Sequence, residues 1–393
     1  MKGFTMYIIT NFIEENRSKN NDLDVKQLQS LLNFLGESLS VDGDFGSKST
    51  IATKKFQEKQ GLQVDGQVGE STWLKSYEVS LDYVKTLIEN EEKYDELALN
   101  SNNKTLIVWV QSILYLINNK TQITGNFDET LEQEIVLIQD ASECSNSGCL
   151  DTDTWSEVFS QCKDELERVY FSLLTDAYIL QRAEENDLSP AAVKAVVKVE
   201  SNGRGFHRDG SLKILFEGHI FWKELNKVNV NPNNHVEGNK DILFKSYTKA
   251  YYRSSLQYGR LNKAKRIHKE AALKSASYGM FQVMGFNYKV AGFNSVDDFI
   301  ASLQKSEKNQ LEAFFNFVKN TKGCFKALQN KDWARFARIY NGPAYRTNQY
   351  DEKMERHYAN SILPKSMGQE IDEEAYISHY TLELERAFSE FEA

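Results

Sequence analysis

An internal repeat is the feature that most limits how the first part of this chain can fold. The segment LQSLLNFLGESLSVDGDFGSKSTIATKKFQ, from Leu28, aligns without gaps on VQSILYLINNKTQITGNFDETLEQEIVLIQ, from Val110, at a constant shift of 82 residues. The same shift carries Trp73 onto Trp155. Each copy is predicted to form a helix, a glycine turn, a second helix, a second glycine turn and a helix start at Thr-Trp. We therefore expect one supersecondary unit used twice, as two small three-helix modules.

The first copy resembles the type 1 peptidoglycan-binding domain, a three-helix module that binds bacterial cell wall. The resemblance rests on LQSLLNFLG, on the paired turns VDGDFG and VDGQVG, and on the helix between these turns. It implies contact with the wall, for which Asp42, Asp65 and Lys54 are the candidate residues. The aromatic side chains of both copies are expected in the core.

The second copy departs from this pattern. Thr124 replaces the aspartate of the first turn, Ser147 stands in the second turn, and an acidic helix with Glu132 and Glu134 replaces the lysine-rich one. We expect this copy to keep the scaffold and to bind wall weakly or not at all.

One carboxylate lies on the predicted apolar face of a helix. Ser-Pro at 189–190 is a helix start signal, and the Ser-Asn-Gly that follows Glu200 is a stop signal. Val193, Val196 and Val197 lie seven, four and three residues before Glu200, and these offsets share one helix face. Burial among valines would raise the pKa of the carboxyl group, because it disfavours the charged form. A surface glutamate at a frayed helix end is the alternative.

Three separated stretches extend this observation: VESNG at 199–203, SYGMFQVMG at 277–285 and ARIYNGPAY at 337–345. In this order they resemble the elements shared by lysozyme-like muramidases and lytic transglycosylases. The longer segments AVVKVESNGRGF, ILFEGHIF, HKEAALKSASYGMFQVMGFNY and FARIYNGPAYRTNQYDEKM resemble the N-acetylmuramidase domain of modular phage endolysins. The resemblance implies a mostly helical lysozyme-like fold and cleavage of the bond between N-acetylmuramic acid and N-acetylglucosamine.

Two carboxylates are candidates for catalysis. Glu200 is the expected general acid, because glycoside cleavage needs a carboxyl group still protonated near neutral pH. Glu217, in an alternating apolar stretch predicted as a strand, is the preferred base, water-positioning group or electrostatic stabiliser. The alternative for Glu217 is a buried structural role beside a cation. Asp209, in the polar turn HRDGS, is expected to be a solvated turn residue.

Five further residues are candidate substrate contacts: Ser201, His219, Gln282, Tyr340 and Asn341. The amide of Gln282 suits the holding of a sugar or the orientation of the acid, and the resemblance implies that Tyr340 and Asn341 lie near the acid. His219 could equally be a structural histidine. The histidines show no metal-ligand spacing with a carboxylate or cysteine partner, so no metal and no cofactor are expected.

Composition indicates an ordinary globular protein, with 41% hydrophobic and 26% charged residues. No stretch approaches the ~20 apolar residues of a membrane span, and no secretory signal is recognised. The four cysteines fit no disulfide framework. No G-x-S-x-G elbow, P-loop or Cys-His context supports serine hydrolase, NTP-driven or papain-like chemistry. We expect a monomer that accumulates in the host cytoplasm, does not insert into membranes and meets the wall after membrane breach.

Charge is unevenly distributed within the net charge of −9. Residues 1–190 hold 16 basic and 33 acidic residues, whereas residues 191–393 hold 31 and 23. The stretch 245–274 carries nine basic residues and the single acid Glu270. Such a stretch suits nucleic acid, an anionic bacterial surface or a solvated helical face. With the wall-binding module present, peptidoglycan is the expected partner and nucleic acid is not.

The sequence thus predicts a mainly α protein, with two small three-helix modules followed by a lysozyme-like α+β catalytic domain that contains a small β element. The predicted segments are a lead at 1–22, the peptidoglycan-binding domain at 23–78, a helical connector at 79–104, the diverged repeat at 105–162, a linker helix at 163–185, the catalytic domain at 186–365 and an acidic C-terminal helix at 366–393. Three functions compete. They are a hydrolase, a lytic transglycosylase that needs one carboxylate and yields 1,6-anhydro products, and a non-catalytic wall-binding protein.

Overall fold

The computed structural model describes residues 12–15, 17, 20–91, 94–142, 144–201, 205–207, 209–246, 252–343 and 345–362. The chain divides into two compact units, Met1–Phe171 with Arg208–Gly210, and Ser172–His207 with Ser211–Ala393. The predicted C-terminal helix at 366–393 and most of the predicted lead segment lie outside the described residues. None of the helices in the described part of the chain is long and apolar enough to cross a membrane.

The N-terminal unit contains the two predicted three-helix modules. The first comprises α1 (Asp22–Phe34), α2 (Ser47–Lys59) and α3 (Glu70–Glu89); the second comprises α4 (Lys104–Asn118), α5 (Glu129–Ser142) and α6 (Thr152–Ser172). Aromatic side chains at equivalent positions form both cores, as expected: Phe45 and Trp73 in the first copy, Phe127 and Trp155 in the second. Helices α1 and α4, which are equivalent in the repeat, pack against each other.

A buried glutamine holds each of the four glycine turns: Gln29, Gln57, Gln111 and Gln139. The amide nitrogen of Gln29 donates to Asp42 Oδ1 at 2.9 Å, and the amide nitrogen of Gln111 donates to Thr124 Oγ1 at 3.2 Å. In every case the glutamine Oε1 accepts from the backbone N–H of the turn glycine. A hydroxyl oxygen therefore replaces the aspartate carboxylate without loss of the turn, which explains how the second copy keeps the scaffold.

Two connecting segments differ from their predicted form. The segment 79–104 is not helical throughout, because α3 ends at Glu89 and Leu97 then pairs with Leu150 as an isolated antiparallel bridge. The segment 163–185 is the end of α6 followed by a separate helix, α7 (Asp176–Glu185). The break has a local cause, since Thr175 is in an extended conformation and its side chain caps α7 by accepting from Tyr178 N at 3.2 Å.

The second unit is helical around a small sheet, as predicted. Strands β1 (Ile214–Phe216), β2 (Ala276–Tyr278) and β3 (Val283–Met284) are antiparallel in the order β1-β2-β3. Its remaining helices are α8 (Pro190–Ser201), α9 (Gly218–Lys227), α10 (Gln257–Lys265), α11 (Lys269–Lys274), α12 (Val296–Lys305), α13 (Glu307–Asn320), α14 (Cys324–Gln329), α15 (Trp333–Tyr340) and α16 (Tyr350–Ile362). Helix α8 packs against α7 and α16.

Candidate active site

Glu200 lies in the last turn of α8, where the sequence places it on the apolar face. The predicted start and end of this helix agree with its bounds, and Val193 and Val196 are fully buried. Glu200 keeps partial exposure at the helix end, so it is within reach of a ligand. Burial raises its pKa to about 7, against an opposing effect from a hydrogen bond with Asn341. At neutral pH this carboxyl group therefore populates both its protonated and its ionised form.

Asn341 is the described side chain that hydrogen-bonds the carboxyl group of Glu200. Its Nδ2 donates to Glu200 Oε1 at 2.7 Å. Asn341 Oδ1 is buried and has no hydrogen-bond partner within the described residues. Asn341 Nδ2 can therefore donate to the ionised carboxylate of Glu200, and Asn341 Oδ1 can accept a hydrogen bond from the protonated carboxyl group or from a ligand.

Tyr340 braces the helix that carries Asn341. Its hydroxyl donates to the carbonyl oxygen of Phe281 at 2.6 Å, and its ring stacks on Phe336 with a centroid separation of 5.3 Å. Burial, with a further contribution from the nearby Glu200, raises the Tyr340 pKa well above its usual value. The phenol therefore stays protonated, and its hydrogen bond ties α15 to the β2–β3 turn.

Gln282 closes the turn between β2 and β3. It has a positive φ of 48°, its Oε1 accepts from Ser277 Oγ at 2.7 Å, and its Nε2 donates to the carbonyl of Gly279 at 2.7 Å. Both ends of the amide are thus used within the turn. Among the described contacts, Gln282 shapes the backbone beside Tyr340 and does not contact Glu200.

Two residues on α13, Glu307 and Gln310, were not predicted from the sequence. Each accepts hydrogen bonds from backbone N–H groups of other segments of the second unit. Glu307 is 1% exposed, and its two carboxylate oxygens accept from the backbone N–H groups of Leu174 and Gly205 at 2.9 and 2.7 Å. Gln310 Oε1 accepts from Met280 N at 2.6 Å, and a methyl group on Gly205 would lie 2.0 Å from the same oxygen. In the sequence, Ser306 followed by Glu307 signals only a helix start.

Glu217 is not a strand residue, contrary to the prediction. Strand β1 ends at Phe216, and Glu217 stands at the N-cap position of α9. Glu217 has an extended backbone, and Gly218, the first residue of α9, lies so close to Phe244 that a methyl group would meet its ring at 2.6 Å. The partly exposed carboxylate lies 3.4 Å from His219 Nδ1.

His219 has a pKa lowered first by burial, and Glu217 opposes this effect by its charge. The imidazole is therefore mainly neutral at pH 7, and its pairing with Glu217 is a contact of a carboxylate with a neutral ring. Ser201 ends α8, but its side chain lies outside the described part of the chain. Asp209 occupies an exposed turn position, as expected.

The candidate wall contacts of the first module have structural roles. Asp42 Oδ1 and Asp65 Oδ1 each accept from the backbone N–H two residues ahead, at 2.9 and 2.8 Å, and from a buried glutamine. The stem of Lys54 covers the second turn, where a methyl group on Gly66 would lie 2.9 Å from its Cε. These residues form the turns, and their contact with the wall stays a prediction.

Within the described part of the basic stretch, residues 245, 246 and 252–274, several positive charges have partners in the protein. Arg260 is buried, and its guanidinium donates to the carbonyl oxygens of Phe216 and Asp241 at 2.8 and 3.0 Å. Three lysines form ion pairs of 2.6, 2.7 and 2.6 Å: Lys263 with Asp241, Lys269 with Asp297 and Lys274 with Glu270. Arg260 and these three lysines therefore have acceptors or carboxylate partners within the protein.

The chain resembles known proteins in both of its parts. Residues 189–361 match the N-acetylmuramidase family model, and residues 21–75 match the model of a putative peptidoglycan binding domain. The crystal structure of Burkholderia AP3 phage endolysin is 31% identical, with 68% of this chain and 98% of that chain covered and a TM-score of 0.45. No match was found among curated proteins. The chain belongs to the modular endolysins, peptidoglycan hydrolases in which a peptidoglycan-binding domain precedes a glycoside hydrolase domain with N-acetylmuramidase activity.

Proposed function

We propose that the enzyme hydrolyses the β-1,4 bond between N-acetylmuramic acid and N-acetylglucosamine, with Glu200 as general acid. The observation that supports this most directly is a carboxyl group with a pKa of about 7, at a partly exposed helix end beside an amide donor. A general acid works best when its pKa lies near the working pH, because it is then both protonated and able to release its proton.

In this mechanism protonated Glu200 donates to the glycosidic oxygen while the bond from that oxygen to the muramic acid C1 breaks. The carboxylate that remains is stabilised by the N–H of Asn341, which already lies 2.7 Å from Oε1. Water then attacks C1, and its proton passes to a base. Glu217 is our proposed base, and His219 Nδ1 lies 3.4 Å from its carboxylate.

The remaining candidate residues have supporting roles in this proposal. Tyr340 and Gln282 fix the backbone that presents Asn341, through the bonds of Tyr340 to Phe281 and of Gln282 to Gly279. Ser201, directly after the acid, is proposed to contact the sugar. Asp42, Asp65 and Lys54 are proposed to hold the wall through the first module, and the enzyme is proposed to act as a monomer that meets the wall after membrane breach.

Lytic transglycosylation is the second candidate, because Glu200 is bonded to an amide and no second carboxylate hydrogen-bonds it within the described residues. In that reaction O6 of the muramic acid attacks C1, and its proton passes to Glu200. The product is a 1,6-anhydro sugar. Hydrolysis is favoured because Glu217 and His219 form a partly exposed pair of groups that could activate water.

Mass spectrometry of muropeptides released in H₂¹⁸O tests the bond and the reaction together. We expect one ¹⁸O atom at each new reducing end and, after borohydride reduction, muramitol as the terminal residue. Dominant 1,6-anhydro products without ¹⁸O would establish transglycosylation. Terminal glucosaminitol would show that the other glycosidic bond is cleaved.

Asn341→Ala should shift the alkaline limb of the pH–activity curve to higher pH. The hydrogen bond from Asn341 lowers the pKa of Glu200, so its removal leaves burial less opposed and raises that pKa further. We also expect kcat/KM at pH 6 to fall about 10- to 100-fold, the range for a lost hydrogen bond to a charged group.

Turbidity assays on purified peptidoglycan from pH 5 to 9 measure both effects. Asn348→Ala, at an exposed position in the turn Tyr345–Asn348, is the matched control and should leave the curve unchanged. A limb that stays in place or moves to lower pH in Asn341→Ala would contradict the role of the amide.

A further inference from the structure

A groove of about 820 Å³ lies within the N-terminal unit, between the two modules. One wall is the loop 36–42 that follows α1 in the first copy, and the other is the start of α4 with the turn at 123–124 in the second copy. Neither copy forms the groove alone. A concavity of this size with aromatic and polar lining is typical of a ligand site.

Three aromatic side chains line the groove: Tyr83, Tyr94 and Trp109. Tyr94 lies over Trp109 with ring centroids 5.0 Å apart, and Trp109 stacks on buried Phe34 at 5.9 Å. The indole is fixed further, because its Nε1 donates to the carbonyl oxygen of Phe34 at 3.1 Å. Tyr83 is 37% exposed, and Trp109 and Tyr94 are partly exposed.

The repeat shows that Tyr83 and Trp109 are not shared by the two modules, although Trp109 also packs against the core rings of Trp155 and Phe159 at 6.0 and 5.8 Å. At the shift of 82 residues, Trp109 corresponds to Gln27 and Tyr83 corresponds to Glu165. The cores of both modules instead use shared positions, such as Trp73 and Trp155. Large rings kept partly exposed in a concave surface are typical of a binding site.

Most of the polar lining of the groove is uncharged or already paired, and Lys104 at the start of α4 adds one cation. Glu37 is paired with Lys55 at 3.4 Å, and Asp42 Oδ1 is used within its turn. Hydroxyl groups of Ser38, Ser40 and Thr105 complete much of the polar surface. Residues 1–190 are strongly acidic as a whole, which disfavours a polyanion.

The loop wall is fixed before any ligand binds. Asn33 braces the loop through two bonds to the same residue, since its Nδ2 donates to the carbonyl of Leu39 at 2.9 Å and its Oδ1 accepts from Leu39 N at 2.7 Å. A preformed groove loses less conformational entropy on binding.

We propose that this groove binds the glycan strand of peptidoglycan, with an amino sugar packed on the exposed ring of Tyr83, beside Trp109. Sugar rings have apolar faces that pack on aromatic rings, while their hydroxyl and N-acetyl groups pair with neutral polar side chains. The site deepens the proposed action on peptidoglycan and rests on it. The second module would then take part in wall binding through its side of the groove, although Thr124 replaces the aspartate of its first turn.

The experiment uses the full chain as Glu200→Gln, so that the glycan is not cut, with 5-fluorotryptophan in place of its five tryptophans. Trp109→Phe assigns the Trp109 signal in the ¹⁹F NMR spectrum. Titration with glycan strands freed of their peptides should shift this signal saturably, and the signal of fully buried Trp73 should not move. Signals of Trp222 and Trp333, in the other unit, report separately on that unit.

Two variants test the groove itself. Tyr83→Ala removes a stacking face and Ser40→Trp fills the groove from an exposed position, so each should raise the Kd measured at Trp109 about 10-fold or more. The control Ile51→Ala removes a side chain that is 56% exposed on α2, outside the groove, and should leave Kd unchanged.

A Trp109 signal that does not respond to glycan strands would overturn the proposal. So would a response to free stem peptides in place of glycan, or an unchanged Kd in folded Ser40→Trp. Failure of the wild-type enzyme to release muropeptides would instead overturn the proposed function, and it would leave a glycan response at Trp109 in place.

Discussion

Replacing Glu200 by glutamine should reduce the clearing of purified peptidoglycan about 10²- to 10⁴-fold, the range for loss of a positioned general acid. Glutamine keeps the shape of the side chain and can still hydrogen-bond with the amide of Asn341. It has no acidic proton for the leaving oxygen. Initial rates of turbidity loss, normalised to enzyme concentration, measure the effect.

Glu184→Gln is the matched control, because Glu184 is an exposed glutamate on α7 and its loss should not change the rate.

Folding is checked by thermal unfolding at pH 8. The raised pKa of Glu200 means that the folded state binds more protons than the unfolded state above the ordinary glutamate pKa. Stability from this group is therefore lost as pH rises through about 7. Glu200→Gln should unfold at the same or a higher temperature than wild type at pH 8. Retention of more than a few per cent of activity would rule out Glu200 as the acid.

The second large effect is the loss of activity in alkaline solution. With a Glu200 pKa of about 7, the protonated fraction falls roughly tenfold for each pH unit above that value. We expect log kcat/KM to decline with a slope near −1 above about pH 7, so that activity at pH 9 is about 100-fold below its plateau.

This profile requires two controls. Circular dichroism across the same pH range must show that the protein stays folded, since the same deprotonation destabilises it. Glu200→Gln should lack the alkaline limb in its residual activity. A wild-type curve that stays flat from pH 6 to 9 would contradict a protonated Glu200 as the catalytic form.

The N-terminal modules were predicted well because their signals are local. The 82-residue shift, the glycine turns and the Thr-Trp starts are all visible along the chain, and each copy forms the expected three helices. The part that Asp42 plays in its own turn was not predicted, because the sequence does not show that its carboxylate accepts a hydrogen bond from Gln29. The extent of the connectors was also mispredicted, since a single cap at Thr175 divides the predicted linker helix.

The structure corrects the predicted position of Glu217 and adds two residues, Glu307 and Gln310, that were not predicted from the sequence. Helix periodicity was enough to place Glu200 after buried valines, because residues three and four apart share a helix face. The same reasoning extended β1 too far, since the strand ends at Phe216 and Glu217 stands at the N-cap position of α9. Glu307 and Gln310 were missed, because their bonds to Gly205 and Met280 join distant segments.

The sequence alone determined the order of modules, the helix that carries Glu200 and the apolar face on which this residue lies. Tertiary structure decided the contacts that give these parts their chemistry. The bond from Asn341 to Glu200 spans 141 residues, and the groove exists only where two copies of the repeat meet. The physical reason is that local patterning specifies which face of an element is buried, while hydrogen-bond partners and cavities depend on how distant elements pack together.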